Sequence, residues 1–482
     1  MNELLFRRLV GRVAVTLTVV AASYAIAEST QTFSSAIPKV WDEAALADME
    51  IPLPPPAPKP SHVSEAYYYA IPEITIYQTY SRTAPSGTTP DAYLEWLKQQ
   101  EPALAFDPAT LKNEEDWIRA GELVFRTTLK PAPYQPNAGQ SFVIRRKGVV
   151  ESTIGTCASC HSQRQPDGTF LSGAPSLNAN LFARVDLPPS LETQRNEMRA
   201  LFSTPWLNPD PNMELLNPLT REEIDGWRIP PAVTHRIGSS LHYPVRIPSL
   251  IGIGDRKYFD ASGRHRHRSI GDLMRYAALA DISFGIESYQ RYGDFIPRGD
   301  GFKTLPDPKS LVRFSDAQLY ALALYLYSLK PPPNPNRPDS TSAAGERVFR
   351  REGCANCHTP PLYTNNKLIP ADGFSVPLEH RGKYDILDVR IGLDSYSTLH
   401  TRRGSGYYKV PSLKDLWLRP VLEHNGSVTT LEEWFDPRRL NDDFVPTGFK
   451  GPRTTRAVKG HRFGLNLTEA DKKALIAFLR TL

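Results

Sequence analysis

Cysteine is nearly absent: the chain has four in 482 residues, and all four fall inside two five-residue clusters. No thiol is left for a bond elsewhere. Methionine is almost as scarce, with five residues at positions 1, 49, 198, 213 and 274, so everything beyond Met274 lacks a thioether. After residue 30 there is neither a run of twenty apolar residues nor a coiled-coil repeat, so the bulk of the chain is expected to be soluble. Basic stripes are missing too. The densest run, Arg264-His265-Arg266-His267-Arg268, is too short for a nucleic-acid surface, and nucleic acid is set aside as a partner. The formal charge of +5 says little, because Arg7, Arg8 and Arg12 outweigh Glu3 at the N-terminus.

Proline is abundant, at 44 residues, beside a modest apolar share of 40%. That balance suggests compact cores wrapped in long proline-braced loops, and the length allows two or three domains. Residues 1–27 read as an export signal: a basic stretch at Arg7, Arg8 and Arg12, an apolar stretch from Val13 to Ala22, and a small-x-small site at Ala25-Ile26-Ala27. An uncleaved anchor is the alternative, although the apolar stretch is short for a span. In the extension over residues 28–110, Ile51 to Pro60 is expected to form a stiff polyproline II surface spacer.

The four cysteines sit in two C-x-x-C-H pentads, Cys157–Cys160–His161 and Cys354–Cys357–His358. Two thiols can form thioethers to the vinyl groups of a haem, and the adjacent His can supply a proximal iron ligand. A four-cysteine zinc site would not require His after both pairs, and its halves would lie closer together. Thioredoxin-like disulfides would suit an exported protein but leave His161 and His358 unexplained. The pentads therefore predict two covalently bound haem c groups, whose four propionates would bring the mature surface close to neutral. Haem c attachment outside the bacterial cytoplasm agrees with the export signal and with a periplasmic or secreted location.

The chain also repeats itself. Ala120-Gly121-Glu122-Leu123-Val124-Phe125 matches Ala344-Gly345-Glu346-Arg347-Val348-Phe349, each on a helical pattern ahead of a pentad. Gly permits close helix contact, and Phe can pack towards a porphyrin. Arg246-Ile247-Pro248-Ser249-Leu250 matches Lys409-Val410-Pro411-Ser412-Leu413. Ser315 and Thr468 each open a closing amphipathic helix, with an acceptor three residues on. The proline-rich stretch Pro331 to Asn336 separates the copies. The expected architecture is mainly α: two tandem cytochrome c-like haem domains, at 111–335 and 336–482, with long irregular loops. The first copy carries large insertions around its haem, and loops of that length tend to be functional.

From Glu114 to Leu482 this organisation resembles the bacterial di-haem cytochrome c peroxidase superfamily, which includes the methylamine dehydrogenase maturation enzyme and the rubber oxygenases. The resemblance is carried by Tyr408 to Leu413, by Glu423-His424-Asn425-Gly426-Ser427-Val428, by Thr430-Leu431-Glu432-Glu433 and by Tyr363-Thr364-Asn365. It implies a first haem that reacts with peroxide or oxygen and a second, six-coordinate haem that stores and relays electrons. It also allows a calcium ion. Three features depart from the family. No Met follows Cys354 to ligate the second haem, and Trp434-Phe435-Asp436-Pro437-Arg438 offers no Tyr in its place, so a His is expected there. The candidates are His461, then His424, with His380 and His400 behind them. The inter-haem Trp is missing from Tyr258 to Gly263. Glu287 resembles the family's distal acid, which would take a proton from peroxide and return it to the departing oxygen. Phe284 beside it would instead line an apolar oxygen pocket.

Arg264 and its neighbours are expected to pair with haem propionates. His235 and His242 are candidates to close the first haem's sixth position. A peroxide- or oxygen-activating oxidoreductase served by a small redox protein is the leading expectation. A pure electron-transfer cytochrome and a rubber-oxygenase-like dioxygenase stand beside it. Membrane contact is expected only through the signal segment, if that is uncleaved.

Overall fold

Four helices, meeting in two pairs, build the frame. The first, α1 (Glu114–Arg126), starts where Asn113 accepts from the Asp116 backbone N–H. Glu114, Glu115 and Asp116 then place negative charge on the positive end of the helix, and Arg126 sits near its negative end. Trp117, Ala120, Gly121, Val124 and Phe125 form its buried stripe, at the spacing that puts them on one face. The computed structural model describes residues 36–57, 62–129, 131–135, 141–177, 190–226, 230–236, 238–241, 244–282, 306–448 and 458–482. The export-signal residues lie outside that set. Among the described residues no helix is long and apolar enough to cross a membrane. Residues 35–482 fall in one compact unit.

The partner of α1 is α3 (Asp316–Ser328), which follows α2 (Ile270–Ile282) and packs against both. A reciprocal capping box between Ser315 and Gln318 starts α3 at the expected residue. It is buried along almost its whole length, from Gln318 to Leu326, so it forms a core helix with no polar face. The second pair is α4 (Ser340–Arg351), capped by Asp339, and α5 (Glu469–Thr481), capped by Thr468. Each pair meets at a glycine. Gly121 lies against the Ala321 carbonyl and Tyr325, and Gly345 against the Ala474 carbonyl and Phe478. One turn further on, Phe125 meets Tyr325 at 5.4 Å between ring centres, and Phe349 meets Phe478 at 5.3 Å. The same joint is built twice.

Backbone bonds stitch the two halves together: Lys409 N–H donates to Ala261, Arg246 N–H to the His424 carbonyl, and Arg402 N–H to Gly238. Short strands complete the fold. β1 (Thr79–Ser81), β2 (Ala132–Pro133), β3 (Ser141–Arg146) and β4 (Val149–Ser152) form an antiparallel sheet in the order β1-β3-β4-β2. Tyr93 and Leu97 cover its apolar face at Phe142, Ile144 and Val150.

The N-terminal segment is part of the core. Trp41 stacks on Tyr68 at 4.4 Å and donates through its indole N–H to the Val63 carbonyl. The expected surface spacer is corrected over residues 51–57. Ile51 is fully buried in a cluster with Tyr258, Leu368 and Tyr407, and Leu53 is buried beside Trp206. Two large apolar side chains in that stretch gain more from burial than the prolines gain from standing in solvent. Residues 58–60 lie outside the described set.

Candidate functional site: a cavity shared by two haem-attachment motifs

Both pentads open onto one cavity of 1070 Å³. Cys157, Cys160, His161, Cys354, Cys357 and His358 all line it, as do Phe125 and Phe349 from the two glycine joints. The first pentad's cysteines sit on a single helical turn, Cys157–Cys160, held by a reciprocal cap between Thr156 and Ser159.

The two histidines are presented identically. Nδ1 of His161 lies 3.1 Å from the Pro248 carbonyl, and Nδ1 of His358 lies 3.1 Å from the Pro411 carbonyl and 3.2 Å from that of Tyr363. A carbonyl only accepts, so Nδ1 carries the proton and donates it in the bond, which leaves Nε2 with its lone pair, the tautomer a metal-binding imidazole needs. Burial pushes both rings down to about 4, so both are neutral near pH 7. Burial also pushes the thiols of Cys160 and Cys354 up to about 11. These are not the activated thiolates of a redox disulfide.

The cavity wall carries buried positive charge. Arg246, Lys409 and Arg419 line it, with Arg256 behind them. Burial first, then mutual repulsion, lowers Arg256 to about 10, Arg419 to about 9 and Lys409 to about 7; burial also lowers Arg246. Two of the cations are anchored alike. Arg256 Nη2 donates to the carbonyls of Ser249 and Ile251 at 2.6 and 3.0 Å, and Arg419 Nη2 to those of Ser412 and Lys414 at 2.6 and 2.7 Å. Buried cations facing an apolar cavity call for anions, and propionates have the right charge. Sequence reasoning missed this set. The signal was available: Arg256 and Arg419 follow the two Pro-Ser-Leu copies at the same spacing, and Arg246 and Lys409 open them.

Of the four histidines proposed for the second haem, His461 and His424 line the cavity. Burial, and then the neighbouring His358 and Arg439, lower His461 to about 3, and His461 and His358 line the same cavity. Nδ1 of His461 is buried with no hydrogen-bond partner on another described residue. His424 is committed elsewhere: Nε2 lies 3.0 Å from Asp394 and the ring stacks on Tyr408 at 4.8 Å. His380 is bound through Nδ1 to the Tyr407 hydroxyl at 2.9 Å, and His400 packs edge-on to Tyr396; neither lines the cavity. His235 does, as a ring that burial lowers to about 4. His242, Phe284 and Glu287 lie outside the described residues.

The Arg264 expectation is replaced by a different set of partners. Arg264 is fully buried and does not line the cavity; its guanidinium donates to the Gly404 carbonyl at 3.1 Å and faces Glu50 at 3.6 Å. A buried guanidinium needs acceptors, and the N-terminal segment supplies them. Among the described residues no group of three or more His, Cys, Asp and Glu side chains is placed to hold a metal ion.

Arg439 secures the His461 loop. It is fully buried, donates from Nε to the Trp434 carbonyl at 2.7 Å and from Nη2 to the His461 carbonyl at 2.6 Å, and lies 4.2 Å from the Trp434 ring centre. Trp434 in turn meets His461 edge-on at 5.3 Å. Arg439→Ala should therefore cost about 2–4 kcal/mol in chemical denaturation, from two charged hydrogen bonds and a cation–π contact. Arg439→Lys should recover little, because one ammonium cannot reach both carbonyls and keep the stack.

No family model and no curated protein matches this chain. Among solved structures it is similar to hydrazine synthase of Kuenenia stuttgartiensis, at 13% identity over 62% of this chain and 89% of that one, with a TM-score of 0.31. It is similar to a MauG-like protein associated with microbial copper homeostasis, at 17% identity over 62% and 90%, with a TM-score of 0.30. It is also similar to the dihaem peroxidase BthA of Burkholderia thailandensis, at 16% identity over 84% and 94%, with a TM-score of 0.34. Likeness at this level assigns no activity, and the haem reading rests on the residues themselves.

Proposed function

We propose that this chain is an exported di-haem c-type oxidoreductase of the di-haem peroxidase superfamily, with two tandem haem domains. The first haem, on His161, would reduce peroxide or oxygen. The second, on His358, would store and relay electrons from a small redox protein. The observation that carries this reading is the shared cavity: both pentads, with their histidines held in the same tautomer, open onto one space walled by buried cations.

Each part of the wall has a task. The four thiols would fix the two haems covalently, and His161 and His358 would ligate the irons. Pro248 and Pro411 carbonyls keep each Nδ1 protonated and each Nε2 directed at its metal. Arg246, Lys409 and Arg419 would neutralise propionates. Leu387, Val389, Ile391 and Leu393 present alternate side chains of one segment to the cavity. His461 would close the second haem's sixth position. Bound haem supplies the redox-active iron and the site where an oxidant reacts. By its resemblance to the family's distal acid, Glu287 is the proposed proton carrier.

A denatured-protein mass from a host with haem c machinery should show two haem additions, and Cys354→Ala with Cys357→Ala should remove one of them. Fewer than two additions to the wild type would end this reading. His235 favours a second one, a pure electron-transfer cytochrome in which that buried neutral ring closes the first haem. The ferric EPR spectrum separates the two: a high-spin signal belongs to an open first haem, and a wholly low-spin spectrum to a carrier.

A further inference from the structure

The Arg264–Arg268 run, which the proposed chemistry does not use, is where the N-terminal segment docks. Asp48 pairs with Arg266 and Arg268 at the surface, and Glu50 enters the interior, its side chain 2% exposed. Oε2 of Glu50 lies 3.3 Å from Nε2 of His62, whose side chain is 9% exposed. Oε1 of Glu50 lies 3.1 Å from Nε2 of His265. On its other side His265 places Nδ1 3.0 Å from Oδ2 of Asp260. Asp260 accepts on Oδ1 from the Tyr276 hydroxyl, and both Asp260 and Tyr276 line the cavity.

Glu50, His265 and Asp260 each face the neighbour on either side through a different atom; both His265 contacts are hydrogen bonds, and His62 stands at ion-pair distance from Glu50. Both nitrogens of His265 face carboxylate oxygens, which only accept unless they carry a proton. A proton between the ring and either carboxylate is shared between a ring nitrogen and a carboxylate oxygen. Arg264 beside Glu50, and Arg236 at 2.9 Å from Asp260 with Arg403 nearby, stabilise the carboxylates as acceptors. Ile51, buried against Tyr258 and Leu368, already docks the segment. Two histidines in series on one buried carboxylate suit proton transfer better than anchoring.

We propose that His62, Glu50, His265 and Asp260 form a proton relay from the N-terminal segment into the cavity between the two haem-attachment motifs. A proton from water is taken up at His62. Glu50 receives one on Oε2 and releases one from Oε1; His265 receives on Nε2 and releases from Nδ1; Asp260 receives on Oδ2 and releases from Oδ1 to Tyr276 or to the cavity. Only N–H and O–H bonds form and break; each passage leaves the protons of Glu50, His265 and Asp260 on the opposite atom of each group, and rotation of the two carboxyl groups and of the His265 ring resets the path before the next. The inference rests on the proposed oxidant reduction: turning one peroxide into two waters takes two electrons, from the redox partner, and two protons, which this path would deliver.

The test uses the holoprotein, photoreduced through a flavin in weak buffer with a pH-indicator dye. The wild type should take up protons as its haems are reduced. Glu50→Gln keeps the shape but cannot carry a proton onward, and should slow uptake by roughly 10²-fold, the lower range for a positioned acid–base group. Haem spectra should stay unchanged, and Glu50→Asp should restore much of the rate. His62→Gln, at the partly exposed end, should also slow uptake and stands in if Glu50→Gln does not fold. Wild-type uptake rates in the variants, or no uptake by the wild type, would overturn the relay. A wild type that takes up protons through this path but ignores peroxide keeps the relay and loses the peroxidase reading.

Discussion

Gly345→Ala should give no folded protein, and Gly121→Ala should do the same. A Cβ on Gly345 would lie 1.9 Å from the Ala474 carbonyl oxygen and 2.7 Å from Cβ of Phe478; on Gly121 it would lie 2.0 Å from the Ala321 oxygen and 2.7 Å from Cβ of Tyr325. These are atoms of a packed helix, so no rotamer change relieves the overlap, and the helices must separate. Separation of α4 from α5 opens the cluster of Val348, Phe349, Leu475, Phe478 and Leu479. Ala is the better helix former by about 1 kcal/mol. Ordinary overpacking costs about 1–3 kcal/mol, and a backbone clash of this depth should exceed about 4. Against a total stability of about 5–15 kcal/mol that loss is decisive. Soluble yield and the guanidinium midpoint check it: a midpoint within experimental error of wild type would mean that the joints are not in contact.

Those two glycines were legible because their signal is local. A Gly in the same place of two helical repeats, with Phe four residues on, has few uses other than close crossing. The caps at Ser315 and Thr468 were legible for the same reason, and α3 and α5 begin where a hydroxyl and an acceptor three residues later place them. The Pro-Ser-Leu copies were recognised as a repeat, but not for the task of holding Nδ1 of His161 and His358. That task is performed by backbone carbonyls, which any residue could supply, so the side chains carry no mark of it.

Longer-range features were the ones missed. Arg264 reads as a propionate partner in sequence because Glu50 and the Gly404 carbonyl come from distant stretches of the chain. Ile51 and Leu53 lie among prolines that suggest a spacer, and only the tertiary fold shows the cluster that buries them. The buried quartet of Arg246, Arg256, Lys409 and Arg419 lies in and just beyond the two Pro-Ser-Leu copies. Its meaning appears only when both copies face the same space.

His461→Ala should turn the second haem from low-spin to high-spin while leaving it covalently attached. The sequence motive is the absence of any Met after Cys354. The physical one is that His461 lines the cavity, as His380 and His400 do not, and has no partner on another described residue for Nδ1, whereas His424 faces Asp394. Lowered to about 3 by burial, by His358 and by Arg439, the ring keeps a free lone pair at neutral pH. His424 would have to give up its 3.0 Å contact with Asp394 before it could take the role. Loss of a strong-field imidazole leaves water or nothing in its place, so the change should involve one full haem equivalent in the EPR spectrum. The first haem's signal should not move. Mass spectrometry of the denatured variant should still show two haem additions, because both thioethers and His358 remain. His424→Ala, by contrast, should leave the second haem low-spin. If the two variants behave the other way round, the Asp394 contact is not maintained in the holoprotein and His424 is the ligand.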